Sequence, residues 1–210
     1  EVTITGSPEI AQPPVITGPV NLCPGGTFVY SLPSAPAPVT ITDAITGNFT
    51  INTEFQWTVP VAVGTISSGQ GTESLTITAA GAVGSGNISV VRRYVSPPVT
   101  TVDGDRCPSP SRTLAVNVRA RPTANITPNP ANICEATALL LNGNPSLPAA
   151  AAGFTPTISA HTWGGSTGIL DAVDIQQPTV LATAAPGAYP LNYVVTADYG
   201  SGVFCSSNPP

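Results

Sequence analysis

The stretch FQWTVPVAVGTISSGQGTESLTIT, from Phe55 to Thr78, decides the fold class of this chain. Apolar and polar residues alternate along Phe55-Gln56-Trp57-Thr58-Val59 and again along Leu75-Thr76-Ile77-Thr78, with Pro and Gly between. A period of two places every second side chain on one face, as a half-buried strand requires. The same alternation recurs in Phe28-Val29-Tyr30, in Asn87 to Tyr94 and in Leu114 to Val118. Further along it returns in Ala138 to Leu141, Ile158 to Trp163, Thr179 to Thr183 and Leu191 to Ala197. Helical periodicity is absent almost everywhere, and Pro and Gly interrupt the windows long enough to hold a helix. Short strands with turn residues between them predict β-sandwiches, and 210 residues fit two of them.

Trp57 and Trp163 hold matching places, 34 residues after Cys23 and 29 after Cys134. Both sit mid-strand, which reads as a core anchor in each domain; a surface aromatic for stacking sugar is the functional alternative. The two ends of the chain also read as halves of one piece. CPSPSRTLAVNVRARPTANITPNPANIC runs 27 residues from Cys107 to Cys134. CSSNPP followed by EVTITGSPEIAQPPVITGPVNLC, joined end to start, runs 28 residues from Cys205 to Cys23. Each holds a polar Pro/Ser stretch, a strand, a Pro-rich linker, an Ile-Thr pair and an Asn-Ile-Cys or Asn-Leu-Cys ending. The second domain therefore lacks a last strand, and Val2-Thr3-Ile4-Thr5 is a strand with no place in the first domain. Pairing one copy's Val2 to Thr5 with the second domain of the preceding copy solves both problems. Separate chains would do this by strand donation, and consecutive repeats of one polypeptide by simple continuity.

Charged residues make up only 8% of the chain, Lys and Met are absent, all six basic residues are Arg, and the net charge is −5. That balance leaves no basic patch for nucleic acid beyond Arg92-Arg93 and Arg119/Arg121. Hydrophobic residues reach 41%, which argues against disorder. No run of about 18 apolar residues spans a membrane. The chain opens on Glu1 without a basic stretch and apolar run, and reads as a mature or excised segment. The four cysteines bracket the domains, predicting Cys23–Cys107 and Cys134–Cys205 disulfides in an extracellular setting. Zinc competes as an explanation, but there is no C-x-x-C and a single His; unbonded pairs in a reducing compartment are the other alternative.

FQWTVPVAVGTISSGQGTESLTIT with its Gly69-Gln70-Gly71-Thr72 turn, followed by SGNISVVRRY and a Cys, resembles the PKD-like domains repeated in surface proteins of Bacteroidetes. APGAYPLNYVVTADYGSGVFC in the second half is similar to the Pro-Gly-x-Tyr and Val-Thr strand of the same sandwiches. The resemblance implies an immunoglobulin-like fold and large secreted, surface-attached proteins such as gliding and adhesion fibres.

Sites for chemistry are sparse. His161 has no Ser-His-Asp arrangement around it, and eleven scattered acids form no catalytic pair, so the chain is expected not to be an enzyme. Asp103-Gly104-Asp105 offers oxygen ligands for calcium, with a polar turn as the plainer reading. Asn48 is the best-placed of three N-x-S/T triplets for glycosylation, in a long loop from Ser31 to Asn52. That loop and the Ala-rich tract from Pro148 to Phe154 fall at matching positions, where binding specificity or lateral contacts are built. The expected organisation is residues 1–12 as a strand and linker completing a neighbour, residues 13–120 as sandwich one and residues 121–210 as sandwich two. The expected role is a structural repeat unit of an extracellular filament or surface adhesin, partnered head to tail by copies of itself. Surface glycans or neighbouring filaments are further expected partners. A carbohydrate- or ligand-binding module of a larger secreted protein is the alternative.

Overall fold

The computed structural model describes residues 10–43, 47–95, 108–134 and 136–207. Two compact units divide the chain between Val118 and Arg119. The first contains β1 (Asn21–Leu22), β2 (Thr27–Ser31), β3 (Val39–Asp43), β4 (Gly47–Ile51), β5 (Thr53–Thr58), β6 (Gly64–Ser68), β7 (Ser74–Ala79), β8 (Gly84–Tyr94) and β9 (Arg112–Val118). One sheet runs β1-β9-β8-β5 and the other β2-β7-β6. Their inward residues form one core: Leu22, Tyr30, Phe55, Trp57, Leu75, Ile77, Ile88, Val90, Val116 and Val118 are all at least 98% buried. The period-two pattern of the sequence is therefore the burial pattern of a two-sheet sandwich.

Two features hold its corners. Trp57 donates from Nε1 to the Thr72 carbonyl at 2.9 Å, and its main chain is bracketed by the Gln70 amide at 2.8 and 2.9 Å. Gly69 and Gly71, at φ of +96° and +90°, make the turn that brings Gln70 there. A Cβ at Gly69 would fall 1.9 Å from the Ser74 carbonyl oxygen, so only glycine fits. The second feature is the pairing of β1 with β9, which is parallel, with Asn21 opposite Asn117 and Leu22 opposite Val118. It covers the outer edge of β9.

The expected loop from Ser31 to Asn52 is not open. Within it β3 and β4 form an antiparallel hairpin, with Val39 opposite Ile51 and Asp43 opposite Gly47. The sequence VTITD and GNFTI alternates as strands do, but the Pro-rich flank obscured it. Strand β6 was also missed, because its GTISS residues beyond Gly64 face outward and carry little apolar signal.

The second unit contains β10 (Ile126–Thr127), β11 (Leu139–Leu140), β12 (Asn142–Gly143), β13 (Thr157–Gly165), β14 (Thr179–Val180), β15 (Leu191–Asp198) and β16 (Phe204–Ser206). A three-stranded sheet runs β13-β15-β16, and two short ladders, β10-β12 and β11-β14, accompany it. Leu141, Trp163, Leu170, Val180, Tyr193 and Val195 form its core. Both units share an arrangement around the tryptophan. Trp57 stands opposite Val90 and Trp163 opposite Tyr193, and Trp163 also donates from Nε1 to a carbonyl, that of Ile175, at 2.8 Å. Thr179 to Thr183 was expected to be one strand, but β14 stops at Val180. There Leu181 donates its N–H to Ile169, in a 3-10 turn at Thr167–Ile169. That turn is the only helical segment among the described residues, so the fold is all-β.

Candidate functional site: the open edge of the second unit

The two units meet the same problem with the same serine. In the first, the Arg92 N–H donates to Ser109 Oγ at 2.9 Å, and the Ser109 N–H donates to the Arg92 carbonyl at 2.9 Å. In the second, the Val195 N–H donates to Ser207 Oγ at 3.1 Å, and the Ser207 N–H donates to the Val195 carbonyl at 2.8 Å. Each serine stands two residues after a cysteine, Cys107 or Cys205, and each is buried. The clamp thus sets one register for both units: Arg92 corresponds to Val195, Val90 to Tyr193, Ile88 to Leu191 and Ser109 to Ser207.

Beyond the clamp the units diverge. In the first, β9 covers β8 from Gly84 to Val90. In the second, β16 covers β15 only from Thr196 to Asp198, with Ser207 reaching Val195. Among the described residues, Leu191 to Val194 has a ladder partner on the β13 side alone. Ile88 is fully buried in the first unit, whereas its counterpart Leu191 is half-buried. The Asn-Leu-Cys and Asn-Ile-Cys motifs differ in the same way. Asn21 and Leu22 are buried along β9 and Cys23 after them is buried too, while Asn132, Ile133 and Cys134 are exposed. Between them and the Leu191 end of β15 lies a groove of about 460 Å³, lined by Ile133, Leu139, Leu181, Pro186, Tyr189 and Leu191, among others.

The cysteine expectations require a correction. Cys23 and Cys205 are disulfide-bonded, but Cys134 is an exposed free thiol. The expected Cys134–Cys205 bond is not formed: the Cys205 sulfur is already held in a disulfide, and Cys134 carries a free thiol. A disulfide demands side chains directed at each other across a short Cβ separation. Cys107 lies outside the described residues, as do Val2 to Thr5 and Asp103-Gly104-Asp105. Among the described residues no group of three or more His, Cys, Asp or Glu is placed to hold a metal. Asn48 lies in β4 opposite Thr42 rather than in a loop.

Both tryptophans belong to the core, at 2% and 3% exposure, so neither is a sugar-stacking surface. His161 is half-buried on β13. Its Nδ1 lies 2.5 Å from the Tyr193 hydroxyl, and its ring stacks on that of Tyr193 with centroids 6.0 Å apart. Burial pushes the Tyr193 phenol up from its ordinary range. Burial also pushes Tyr199 up to about 12, against a lowering by the Arg121 guanidinium; its hydroxyl donates to the Ala120 carbonyl. Phe154, ending the Ala-rich tract, packs edge-on against Tyr199 at 5.2 Å and carries the Arg119 guanidinium 4.4 Å above its ring. The alanines before it, Ala149 to Ala152, stay exposed.

Residues 9–93 match the family model of the PKD-like domain. The PKD-like stretch takes in β1 to β7 and nearly all of β8, including Trp57 and the Gly69-Gln70-Gly71 turn. No curated protein matches the chain in sequence. Among solved structures, the full ectodomain of mouse nectin-like molecule 4 (Ig1–Ig3) superposes with a TM-score of 0.29 at 11% identity. That superposition covers 94% of this chain and 62% of that one. The adhesin InvE of Yersinia pseudotuberculosis superposes with a TM-score of 0.24 at 17% identity, covering 91% of this chain and 57% of that one. The chain spans about three fifths of the length of each. Neither superposition is close enough to equate the folds. No helix among the described residues is long and apolar enough to cross a membrane.

Proposed function

We propose that the chain is a non-enzymatic structural repeat unit of an extracellular filament or surface adhesin, joined head to tail with copies of itself. The observation that carries this reading is that, among the described residues, the β16 ladder covers β15 only from Thr196 to Asp198, where β8 in the first unit is covered over seven residues. A stretch of strand whose main-chain groups lack a partner is a template for another strand. The disulfide-bonded Cys23 and Cys205 fit an oxidising compartment outside the cytosol. So does the low charge. Immunoglobulin-like sandwiches of the PKD type, a last strand supplied from the next copy's N-terminus, and sugar on Asn48 complete the proposal.

The alternative is a carbohydrate- or ligand-binding module, and it requires an exposed aromatic platform. Phe204 at 58% exposure and Tyr189 at 36% are the aromatics that favour it. Electron microscopy of the purified chain at high concentration tests the main reading. Filaments or end-to-end oligomers are expected from the full chain, and none after deletion of Glu1 to Gly6. A strictly monomeric chain that binds glycans on an array would instead establish the alternative. The mass of the native polypeptide under reducing, denaturing conditions separates discrete subunits near 21.1 kDa from one covalent repeat of hundreds of kilodaltons.

A further inference from the structure

The first unit carries its own answer to what fills the groove of the second. Strand β9 runs Arg112-Thr113-Leu114-Ala115-Val116-Asn117-Val118, with Val116 and Val118 buried and Leu114 packed against the core. Its far edge pairs in parallel with Asn21-Leu22. One element thus closes the space between the inner strand and the Asn-Leu-Cys segment. In the second unit both walls of that space are present and facing. Leu191 and Tyr189 line it on one side and Ile133 and Cys134 on the other, and no described residue fills the 460 Å³ groove they line. At 40%, 38% and 36% exposure, Ile133, Leu181 and Tyr189 present apolar surface that a sandwich ordinarily covers.

We infer that this groove is the seat of the segment Val2-Thr3-Ile4-Thr5-Gly6 from a second copy of the chain. The inference rests on the head-to-tail reading and gives it a register. Ser207 already engages Val195, and main-chain groups facing that side recur at every second residue. Among the groove's lining, Leu191 is the first such position and Tyr189 the next. Val2 opposite Leu191 and Ile4 opposite Tyr189 put both apolar side chains inward, as Leu114 and Val116 are against Ile88 and Gly86. Thr3 and Thr5 then take the outward positions of Ala115 and Asn117 on β9. The parallel pairing of Asn21 with Asn117 and Leu22 with Val118 carries over as Asn132 beside Thr5 and Ile133 beside Gly6. Cys134 then stands beside Ser7. Five extended residues span about 17 Å, so the segment reaches along the whole open edge.

The free thiol of Cys134 is a built-in reporter of this seat. Four chains suffice for the test: wild type, Ile4→Asp, Ser7→Cys and Ser7→Cys with Cys134→Ser, each checked for folding by tryptophan fluorescence. Mild oxidation of Ser7→Cys should give a ladder of disulfide-linked oligomers, and adding Cys134→Ser should remove it. A synthetic peptide of Glu1 to Ser7, added to the Ile4→Asp chain, should slow alkylation of Cys134 about tenfold, because only an accessible thiolate reacts. The same peptide carrying Asp in place of Ile4 should leave the rate unchanged. Cross-linking of Ser7→Cys within single chains would overturn the second copy as donor. An unprotected Cys134 with wild-type chains still assembling would overturn the groove assignment while leaving head-to-tail assembly standing. Protection by the peptide without any assembly of wild-type chains would uphold the groove and sink the filament reading.

Discussion

Replacing Ser109 by Ala should destabilise the first unit by an amount the clamp geometry sets. Ser109 is 4% exposed, and its Oγ accepts the Arg92 N–H at 2.9 Å while contacting the Pro110 carbonyl at 3.1 Å. Alanine leaves the Arg92 N–H without its acceptor in a part-buried setting. Stranding a buried donor costs about 1–3 kcal/mol, whereas a hydrogen bond exchanged for water costs about half to one and a half. Burial at the clamp places Ser109→Ala in the upper range, about 2 kcal/mol. At about 4–8 °C per kcal/mol for a small domain, melting should fall by roughly 8–16 °C. Urea unfolding followed by Trp57 fluorescence in a Trp163→Phe background measures it, with exposed Ser85→Ala as the control. Ser207→Ala, read through Trp163 in a Trp57→Phe background, should behave alike, since the Val195 N–H it serves is buried. A loss below about half a kcal/mol at Ser109 would refute the reasoning, because the N–H would then have found water or another acceptor.

Three more outcomes are expected. Gly143→Ala should cost the second unit about 1–3 kcal/mol by overpacking, since its Cβ would fall 2.5 Å from the buried Tyr193 ring; calorimetry measures it. Tyr199 stays neutral in the fold to a pKa of about 12, above its ordinary value of 10.0. Its contribution is therefore complete below pH 10 and lost as pH rises through 12, a decline that Tyr199→Phe should flatten in a pH series of unfolding midpoints. Glu54→Gln should shift stability by less than about 1 kcal/mol, because its 2.8 Å pair with Arg93 is solvent-exposed. Double-mutant unfolding with Arg93→Gln tests that.

The long strands were legible because they alternate: β5, β7 and β15 bury every second residue, and β8 buries Ile88 and Val90. The tryptophan positions were legible too, since a large ring mid-strand belongs inside. β6 carries no such signal beyond Gly64, which is why it went unseen, and the β3–β4 hairpin was read as a loop beside its Pro-rich flank. The cysteine spacing looked symmetrical between the halves, but spacing does not report which way a side chain points. Cys23 is buried and disulfide-bonded, whereas Cys134, at the matching place in the second half, is an exposed free thiol. The clamp serines were the signal available for the open edge. Ser in the second place after Cys107 and again after Cys205 aligns the halves to the residue, and no strand-pattern reading uses it.

The turn between β6 and β7 has a consequence for crowding. The register of β6 against β7 slips between Ile66 and Ser68, and Gly69 follows at positive φ. Such a bulge bends and twists the free side of an edge strand, spoiling the flat row of donors and acceptors that a neighbour would need. In a chain with 41% hydrophobic residues and 8% charged ones, charge repulsion gives little protection against sideways adhesion. The distorted flank offsets this by shape, since it is a poor template for sideways strand pairing between crowded molecules.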